Sequence, residues 1–234
     1  MLYALVLAGG RGERLRPYTD NKPKPMVELN GKPLLWYQLS WLKKNGVTNA
    51  LILGGYRIEV IEEYFGDGGE IGIALQYIEE KQPLGRGGAY RQALGHLPST
   101  ANLAIATNGD ILTTQPLQPI LDLHNSETTT LATIMLTPLI SQYGIVACDE
   151  SNKVTAFQEK PHLPYWINAG VYVFSTTIVN RLPVVGDHET STFPDLAAKG
   201  QLAGFKSDCF WKGIDTAKDV QEIASLLPSI GYQN

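Results

Sequence analysis

The segment Leu5 to Met26, LVLAGGRGERLRPYTDNKPKPM, constrains this chain more than any other. It begins inside an apolar run, Leu2 to Leu7, that reads as a buried parallel strand. The run breaks at Ala8-Gly9-Gly10-Arg11-Gly12. Glycines there let the backbone pass close to a ligand and turn its N–H groups inward as an anion-binding nest. Arg14 and Lys24 then bracket a segment stiffened by Pro17, Pro23 and Pro25. Proline fixes φ and restricts the residue before it, so the loop is preset at little entropic cost. A rigid loop carrying cations at the carboxyl end of a first strand stands where an open α/β sheet binds its ligands.

Two familiar phosphate motifs do not fit. No Lys-Ser or Lys-Thr follows the glycines, as a P-loop requires, and Leu15 stands where a dinucleotide fingerprint needs its last glycine. The stretch instead resembles the signature of sugar-1-phosphate nucleotidylyltransferases, G-G-x-G-x-R-L-x-P-x-T…K-P-K-P-M. Gly9, Gly10, Gly12, Arg14, Leu15, Pro17, Thr19, Lys22, Pro23, Lys24, Pro25 and Met26 all match, and Glu13 departs from the family's usual threonine.

The rest of the chain supports an α/β domain. Pro33 opens a helix with Leu35, Leu39 and Leu42 on one face and Gly46 as its stop. Strands are expected at 50–53, 73–78 and 102–107, with helices at 58–65 and 86–97 between them. This alternation predicts a parallel sheet with helices on both faces. After a helix near 117–124 come strand-like runs at 129–136, 144–147, 154–157 and 171–174, read as a mixed extension of the same sheet plus a lobe for a second substrate. A short helix within 182–201 and a last one at 216–227 follow. The expectation is one domain over residues 1–234 with a Rossmann-like, mixed, mostly parallel sheet. Residues 1–125 would form a nucleotide-binding half and 126–234 a sugar-phosphate half. Many enzymes of the family carry a C-terminal left-handed β-helix; this chain resembles the short members without one.

Other motifs extend the resemblance. Gln82-Pro83-Leu84-Gly85-Arg86-Gly87-Gly88-Ala89 is a second glycine loop between strand and helix, and Gln82 offers both an acceptor and donors to a base edge. The family often reads P-L-G-T-A-G-A here, so Arg86 and Gly87 depart from it. Asn108-Gly109-Asp110 follows a strand and matches the family's metal motif. Magnesium is hard, takes oxygen ligands, and is usually held by one or two carboxylates plus substrate phosphates. Tyr143-Gly144-Ile145-Val146, Glu159-Lys160-Pro161 and Asn168-Ala169-Gly170 resemble the family's sugar-side motifs.

Carried over residue by residue, the resemblance implies nucleotide binding by Leu7, Ala8, Gly9, Gly10, Gly12, Arg14, Lys24, Gln82, Pro83, Gly85, Gly88, Asn108 and Gly109. It implies sugar-phosphate binding by Gly144, Glu159, Lys160 and Asn168, and catalytic roles for Arg14, Lys24, Asp110 and Lys160. Mg²⁺ would sit on Asp110. The family's usual W-x-D-I-G-T reads Trp211-Lys212-Gly213-Ile214-Asp215-Thr216, so Asp215, one side-chain period beyond Gly213, is expected as the second ligand. The implied substrates are a nucleoside triphosphate and a sugar 1-phosphate. GTP with mannose or heptose 1-phosphate is preferred, because Glu62 to Asp67, Tyr77 to Glu80 and Ser141 to Val146 resemble the short guanylyltransferases. Cytidylyl, uridylyl or thymidylyl transfer to glucose 1-phosphate is the alternative. A non-catalytic nucleotide-sugar-binding regulator would have lost Arg14, Lys24 or Asp110, and all three are present.

Composition narrows the partners. The formal net charge is −4 and no basic block stands out, so nucleic acid is not expected; no run approaches the ~18 apolar residues of a membrane span, so no membrane is expected either. A homo-oligomer is compatible with the reading. Cys148 and Cys209 form no metal or disulfide pattern; both lie in apolar runs and read as buried thiols, and the cytoplasm is the expected compartment. The leading apolar run reads as a strand and not as a signal segment. His96, His124, His162 and His188 lie outside every motif and read as structural or surface residues.

Overall fold

A computed structural model describes residues 1–232. In chain order the regular elements are β1 (Leu2–Leu7), β2 (Glu28–Leu29), β3 (Lys32–Pro33), α1 (Leu34–Lys44), β4 (Val47–Gly54), α2 (Ile58–Phe65), β5 (Ala74–Glu79) and α3 (Gly85–Leu94). Then come β6 (Leu103–Asn108), β7 (Ile111–Thr113), α4 (Gln118–Ser126), β8 (Ala132–Ile140), β9 (Ile145–Cys148), β10 (Val154–Gln158) and β11 (His162–Ser175). The last are α5 (Thr192–Ala198), β12 (Leu202–Lys206), β13 (Trp211–Gly213) and α6 (Ala217–Leu226).

The main sheet runs β12-β8-β11-β6-β1-β4-β5. The strands from the first half of the chain pair in parallel: β1 with β4 and β6, and β4 with β5. β11 is antiparallel to both β6 and β8, and β12 is parallel to β8. The sheet is therefore mixed and mostly parallel, as expected.

Each face carries its own apolar layer. Ala4 and Val6 of β1 meet Leu35, Leu39 and Leu42 of α1 and Ile61 of α2 on one side. Leu5 meets Ala89, Tyr90 and Ala93 of α3 on the other, with Tyr172, Phe174, Phe193 and Leu196. Buried alternation of this kind is what a strand covered on both faces requires. A third cluster packs Leu15 of the signature loop, with Val27 and Leu29 just beyond it, against Val220 and Ile223 of α6. Thr216 caps α6 through a capping box with Asp219, fixing where that helix begins.

Three expectations are corrected. β9 and β10 do not extend the main sheet but form a separate two-stranded ribbon with every residue exposed. Cys148 on that ribbon is exposed and Cys209 is half-buried, so neither is a core thiol. The strand expected at 171–174 is the buried end of the 14-residue β11, whose first half, HLPYWIN, holds Pro164 and is mostly exposed. Among the described residues, no helix is long and apolar enough to cross a membrane.

Candidate active site

The carboxyl ends of β1, β5 and β6 open on a cavity of about 380 Å³. Its wall is Leu7, Gly9, Gly10, Lys24, Pro25, Glu80, Pro83, Gly85, Arg86, Asn108, Gly109 and Asp110. Both glycine loops and the Asn-Gly-Asp motif thus meet in one place. Ala8 N–H donates to the Leu53 carbonyl at 2.6 Å and Gly109 N–H to the Leu7 carbonyl at 2.7 Å, which locks the strand ends together. Among the described residues, the N–H groups of Gly9, Gly10, Arg11 and Gly12 donate to no protein acceptor. Unpaired donors in a glycine loop are what an anion-binding nest offers.

Gly12 has φ +65°, and a Cβ there would lie 2.9 Å from Thr19 Cγ2 and 3.0 Å from Lys24 Cβ. Glycine is required at this point for the loop to fold back on Lys24. The Lys24 side chain is largely buried. Its ammonium donates to Asp110 Oδ2 at 2.6 Å and to Asp215 Oδ1 at 2.8 Å. Arg14 Nη2 reaches the same Asp215 oxygen at 2.9 Å. Arg14, Lys24, Asp110 and Asp215 are therefore brought together.

The two carboxylates meet because β13 pairs antiparallel with β7, Gly213 opposite Ile111, and Ile214 N–H donates to the Asp110 carbonyl at 2.9 Å. β13 ends at Gly213, so Asp215 reaches the site from the turn before α6 and not from within a strand. Among the described residues no group of three or more acidic, His or Cys side chains gathers. Two carboxylates converging on one cation do suit a Mg²⁺ ion completed by phosphate oxygens.

The residues expected to bind the sugar phosphate are more dispersed. Gly144 and Glu159 touch across the base of the exposed ribbon: a Cβ at Gly144 would lie 3.1 Å from Glu159 Oε2. Lys160 is exposed, has φ +45° and makes no ion pair among the described residues. Asn168 lies at a register shift in the β11–β8 ladder. Its amide donates to Tyr172 Oη at 2.9 Å and Glu189 Oε1 at 2.8 Å, and its oxygen accepts from Gly170 N–H at 2.9 Å. It is engaged within the protein.

Glu189 escaped sequence reasoning because it lies in no motif. It accepts from Asn168, from Tyr172 at 3.0 Å and from Arg86 at 2.7 Å. Arg86 also pairs with Asp187. Burial lowers the Arg86 pKa, but the Asp187 hydrogen bond and the charges of Glu189 and Asp187 outweigh it and raise it overall. Burial and the Glu189 charge raise the Tyr172 hydroxyl well above its ordinary value.

The segment from Pro183 to Glu189 is strapped over the start of α3. The Gly186 carbonyl accepts from Gly87 N–H at 3.0 Å and Gly88 N–H at 3.3 Å, while Gly186 N–H donates to the Leu84 carbonyl at 2.7 Å. A Cβ at Gly87 would lie 2.7 Å from Pro183 Cγ and 2.8 Å from His188 N. The Arg86 and Gly87 departures from the usual family loop thus fit this strap. Gln82 is exposed and outside the cavity wall, which instead includes Glu80, a residue that sequence reasoning did not single out.

The chain is 35% identical to the mannose-1-phosphate guanylyltransferase of Mycobacterium tuberculosis, over 97% of this chain and 65% of that one. The chain thus spans less than two thirds of that relative's length. HddC from Yersinia pseudotuberculosis superposes with a TM-score of 0.77 at 25% identity, covering 96% of this chain and 99% of HddC. A Bacillus anthracis protein described as a glucose-1-phosphate thymidylyltransferase shares the fold, with a TM-score of 0.79 at 17% identity over 100% of this chain and 98% of that one. The family model for nucleotidyl transferases matches residues 3–229, nearly the whole of the sheet, both glycine loops and the Lys24–Asp110–Asp215 cluster: the chain belongs to the nucleotidyl transferase family.

Proposed function

We propose that the chain joins a nucleoside triphosphate to a sugar 1-phosphate, giving a nucleotide sugar and pyrophosphate. The nucleotide is read as GTP and the sugar as mannose or heptose 1-phosphate. One observation carries the reading: the Lys24 ammonium, held by Asp110 and Asp215, stands at a cavity bounded by two glycine loops. The 35% identity to a mannose-1-phosphate guanylyltransferase supports the choice of base and sugar.

The chemistry needs no general base. A sugar phosphate has a second pKa near ~6 and is largely dianionic at neutral pH. Its oxygen attacks the α-phosphorus in line, and pyrophosphate leaves. What the protein supplies is alignment and charge neutralisation. The open N–H groups of Gly9 to Gly12, with Arg14, hold the departing pyrophosphate. Lys24 neutralises charge on the transferring phosphoryl group. Lys160 steers the sugar phosphate, Gly144 and Glu159 bind sugar hydroxyls, and Asn168 supports that seat. Asp110 and Asp215 would hold Mg²⁺, which supplies Lewis-acid neutralisation of phosphate oxygens. The cytoplasm, where both substrates are held, is the compartment this reading implies.

Pyrophosphate release is the test, with GTP, CTP, UTP and dTTP each paired with mannose, glucose and heptose 1-phosphates. Turnover is expected, with GTP leading. Preference for a pyrimidine nucleotide by more than about tenfold, some 1.4 kcal/mol, would end the guanylyl reading. Absence of turnover with every pair would end the enzymatic one.

A further inference from the structure

We propose that Glu189 is a positioning residue: it fixes the Asn168 amide so that the oxygen, and not the NH₂ group, is offered to the sugar seat, an inference that rests on the reading of the chain as a sugar-1-phosphate nucleotidylyltransferase.

Asn168 leads into Ala169 and Gly170, and this stretch of β11 abuts the cavity. Gly170 has φ +71°, and a Cβ there would lie 2.6 Å from Nδ2 of Asn108, a residue of the cavity wall. Asn168 itself is exposed, so a ligand can reach it.

A side-chain amide has two N–H donors and one oxygen with two lone pairs. The Asn168 NH₂ group donates to Tyr172 Oη at 2.9 Å and to Glu189 Oε1 at 2.8 Å, which occupies both donors. Its oxygen accepts from Gly170 N–H at 2.9 Å and keeps a second lone pair. An ionised carboxylate only accepts and a backbone N–H only donates, so the amide fits one way round. Turned over, it would set donor against donor at Gly170 and oxygen against oxygen at Glu189, and unmade bonds of this kind are costly.

Glu189 is itself held in place. Its Oε2 pairs with Arg86 Nη2 at 2.7 Å, its Oε1 also accepts from Tyr172 Oη at 3.0 Å, and its N–H donates to Asp187 Oδ1 at 2.9 Å. Arg86 has donors only, so it requires an oxygen from residue 189. It comes from the second glycine loop and lines the cavity. The bonds therefore run from Arg86 through Glu189 to Asn168, and the departure at Arg86 sets what the other side of the site presents. That is an acceptor oxygen. Such an oxygen takes a sugar hydroxyl and repels phosphate oxygens, which assigns Asn168 to a hydroxyl and leaves the sugar phosphate to Lys160.

The experiment measures pyrophosphate release from GTP and mannose 1-phosphate, or from the substrate pair that the nucleotide and sugar screen favours, with calorimetric nucleotide affinity alongside. The chains compared are the unmutated one, Glu189→Gln, Asn168→Asp and the double variant. In Glu189→Gln, Arg86 retains the side-chain oxygen, so the new NH₂ group turns to Asn168 and donor meets donor. In Asn168→Asp, two carboxylates face each other. Each single variant should raise the KM for the sugar 1-phosphate by about tenfold or more while nucleotide affinity moves less than about twofold. In the double variant the introduced amide donates to the introduced carboxylate and an oxygen again meets the sugar, so the KM should return to within about threefold of the parent. A merely structural role would not make two losses cancel in one substrate's KM with the other's affinity unmoved. An unchanged sugar 1-phosphate KM in Glu189→Gln, equal weakening of both substrates, or a double variant no better than Asn168→Asp would overturn the inference and leave the enzyme reading standing. No turnover by the unmutated chain with any pair would overturn both. Should the variants carrying Asn168→Asp fail to fold, Glu189→Gln alone decides: the tenfold rise supports the inference and an unchanged KM overturns it.

Discussion

Lys24 Nζ lies 2.8 Å from Oδ1 of Asp215, a residue 191 positions further along the chain. The contact fastens the signature loop to the turn that precedes α6. It also means that two carboxylates and one ammonium share a single spot before any substrate arrives. Charges held at fixed places do not have to be rearranged when the phosphoryl group is transferred.

Asp110→Asn and Asp215→Asn remove a charge and little volume. Each should lower turnover by about 100-fold or more while the melting temperature stays within a few degrees of the parent. Pyrophosphate release titrated with Mg²⁺ checks this. Unchanged turnover at limiting Mg²⁺ in Asp215→Asn would leave Asp110 without its expected partner.

Lys160→Ala should act on one substrate. Lys160 is exposed and makes no ion pair among the described residues, so its loss leaves the fold intact. The KM for sugar 1-phosphate should rise by about tenfold or more, as expected for one hydrogen bond to a charged group. Nucleotide affinity in calorimetry should move less than about twofold. Equal weakening of both substrates would contradict the assignment.

Gly87→Ala tests the strap. The added methyl would meet Pro183 Cγ at 2.7 Å and His188 N at 2.8 Å, atoms that cannot move without the strap. A loss of about 1–3 kcal/mol is expected from such overpacking. In a chain of this size that lowers the melting temperature by about 2–4 °C for each kcal/mol. Calorimetric unfolding with no loss would show that the strap yields freely.

His188 makes stability depend on pH. It is fully buried among Tyr90, Tyr172, Phe174 and Phe193, and neither ring nitrogen has a hydrogen-bond partner among the described residues. Burial lowers its pKa from 6.5 to about 4; the Asp187 charge opposes this and the Arg86 charge adds to it. The folded protein thus keeps the ring neutral while the unfolded chain takes up a proton. Stability from this group is complete above pH 6.5 and falls toward pH 4, by about 1.4 kcal/mol per pH unit. Thermal melts from pH 7.5 to 4.5 should show this slope, and His188→Leu should flatten it whatever its absolute stability. An unaltered slope in the variant would assign the dependence to other groups.

The legible parts of the fold were those with local signals. β1, β4 and β6 are apolar runs, and the glycine-proline loop after β1 announces itself by residue type. β9 and β10 were found as strands but placed in the wrong sheet, because a short apolar run reads alike in a core and in an exposed ribbon. Asp215 was expected from its spacing to Gly213, yet it arrives through the β7–β13 pairing, a long-range contact with no local trace. Glu80 and Glu189 are ordinary acidic residues in sequence; only the folded sheet sets one on the cavity wall and the other beneath Arg86.

The ladder between β6 and β11 bears on how this protein can move. Leu103 to Thr107 pair with Val171 to Ser175 in the middle of the main sheet, so the two halves of the chain share one continuous floor. A hinge between halves would have to tear that ladder, so they cannot open as two rigid lobes. The ribbon of β9 and β10 is different: its strands pair only with each other and all their residues face solvent. Segments with so little buried surface open at low cost. Gly144 and Glu159 sit at its base, so under the proposed function the sugar seat would flex while the nucleotide seat stays set. Such a chain would admit and release its second substrate by bending one finger over a fixed palm.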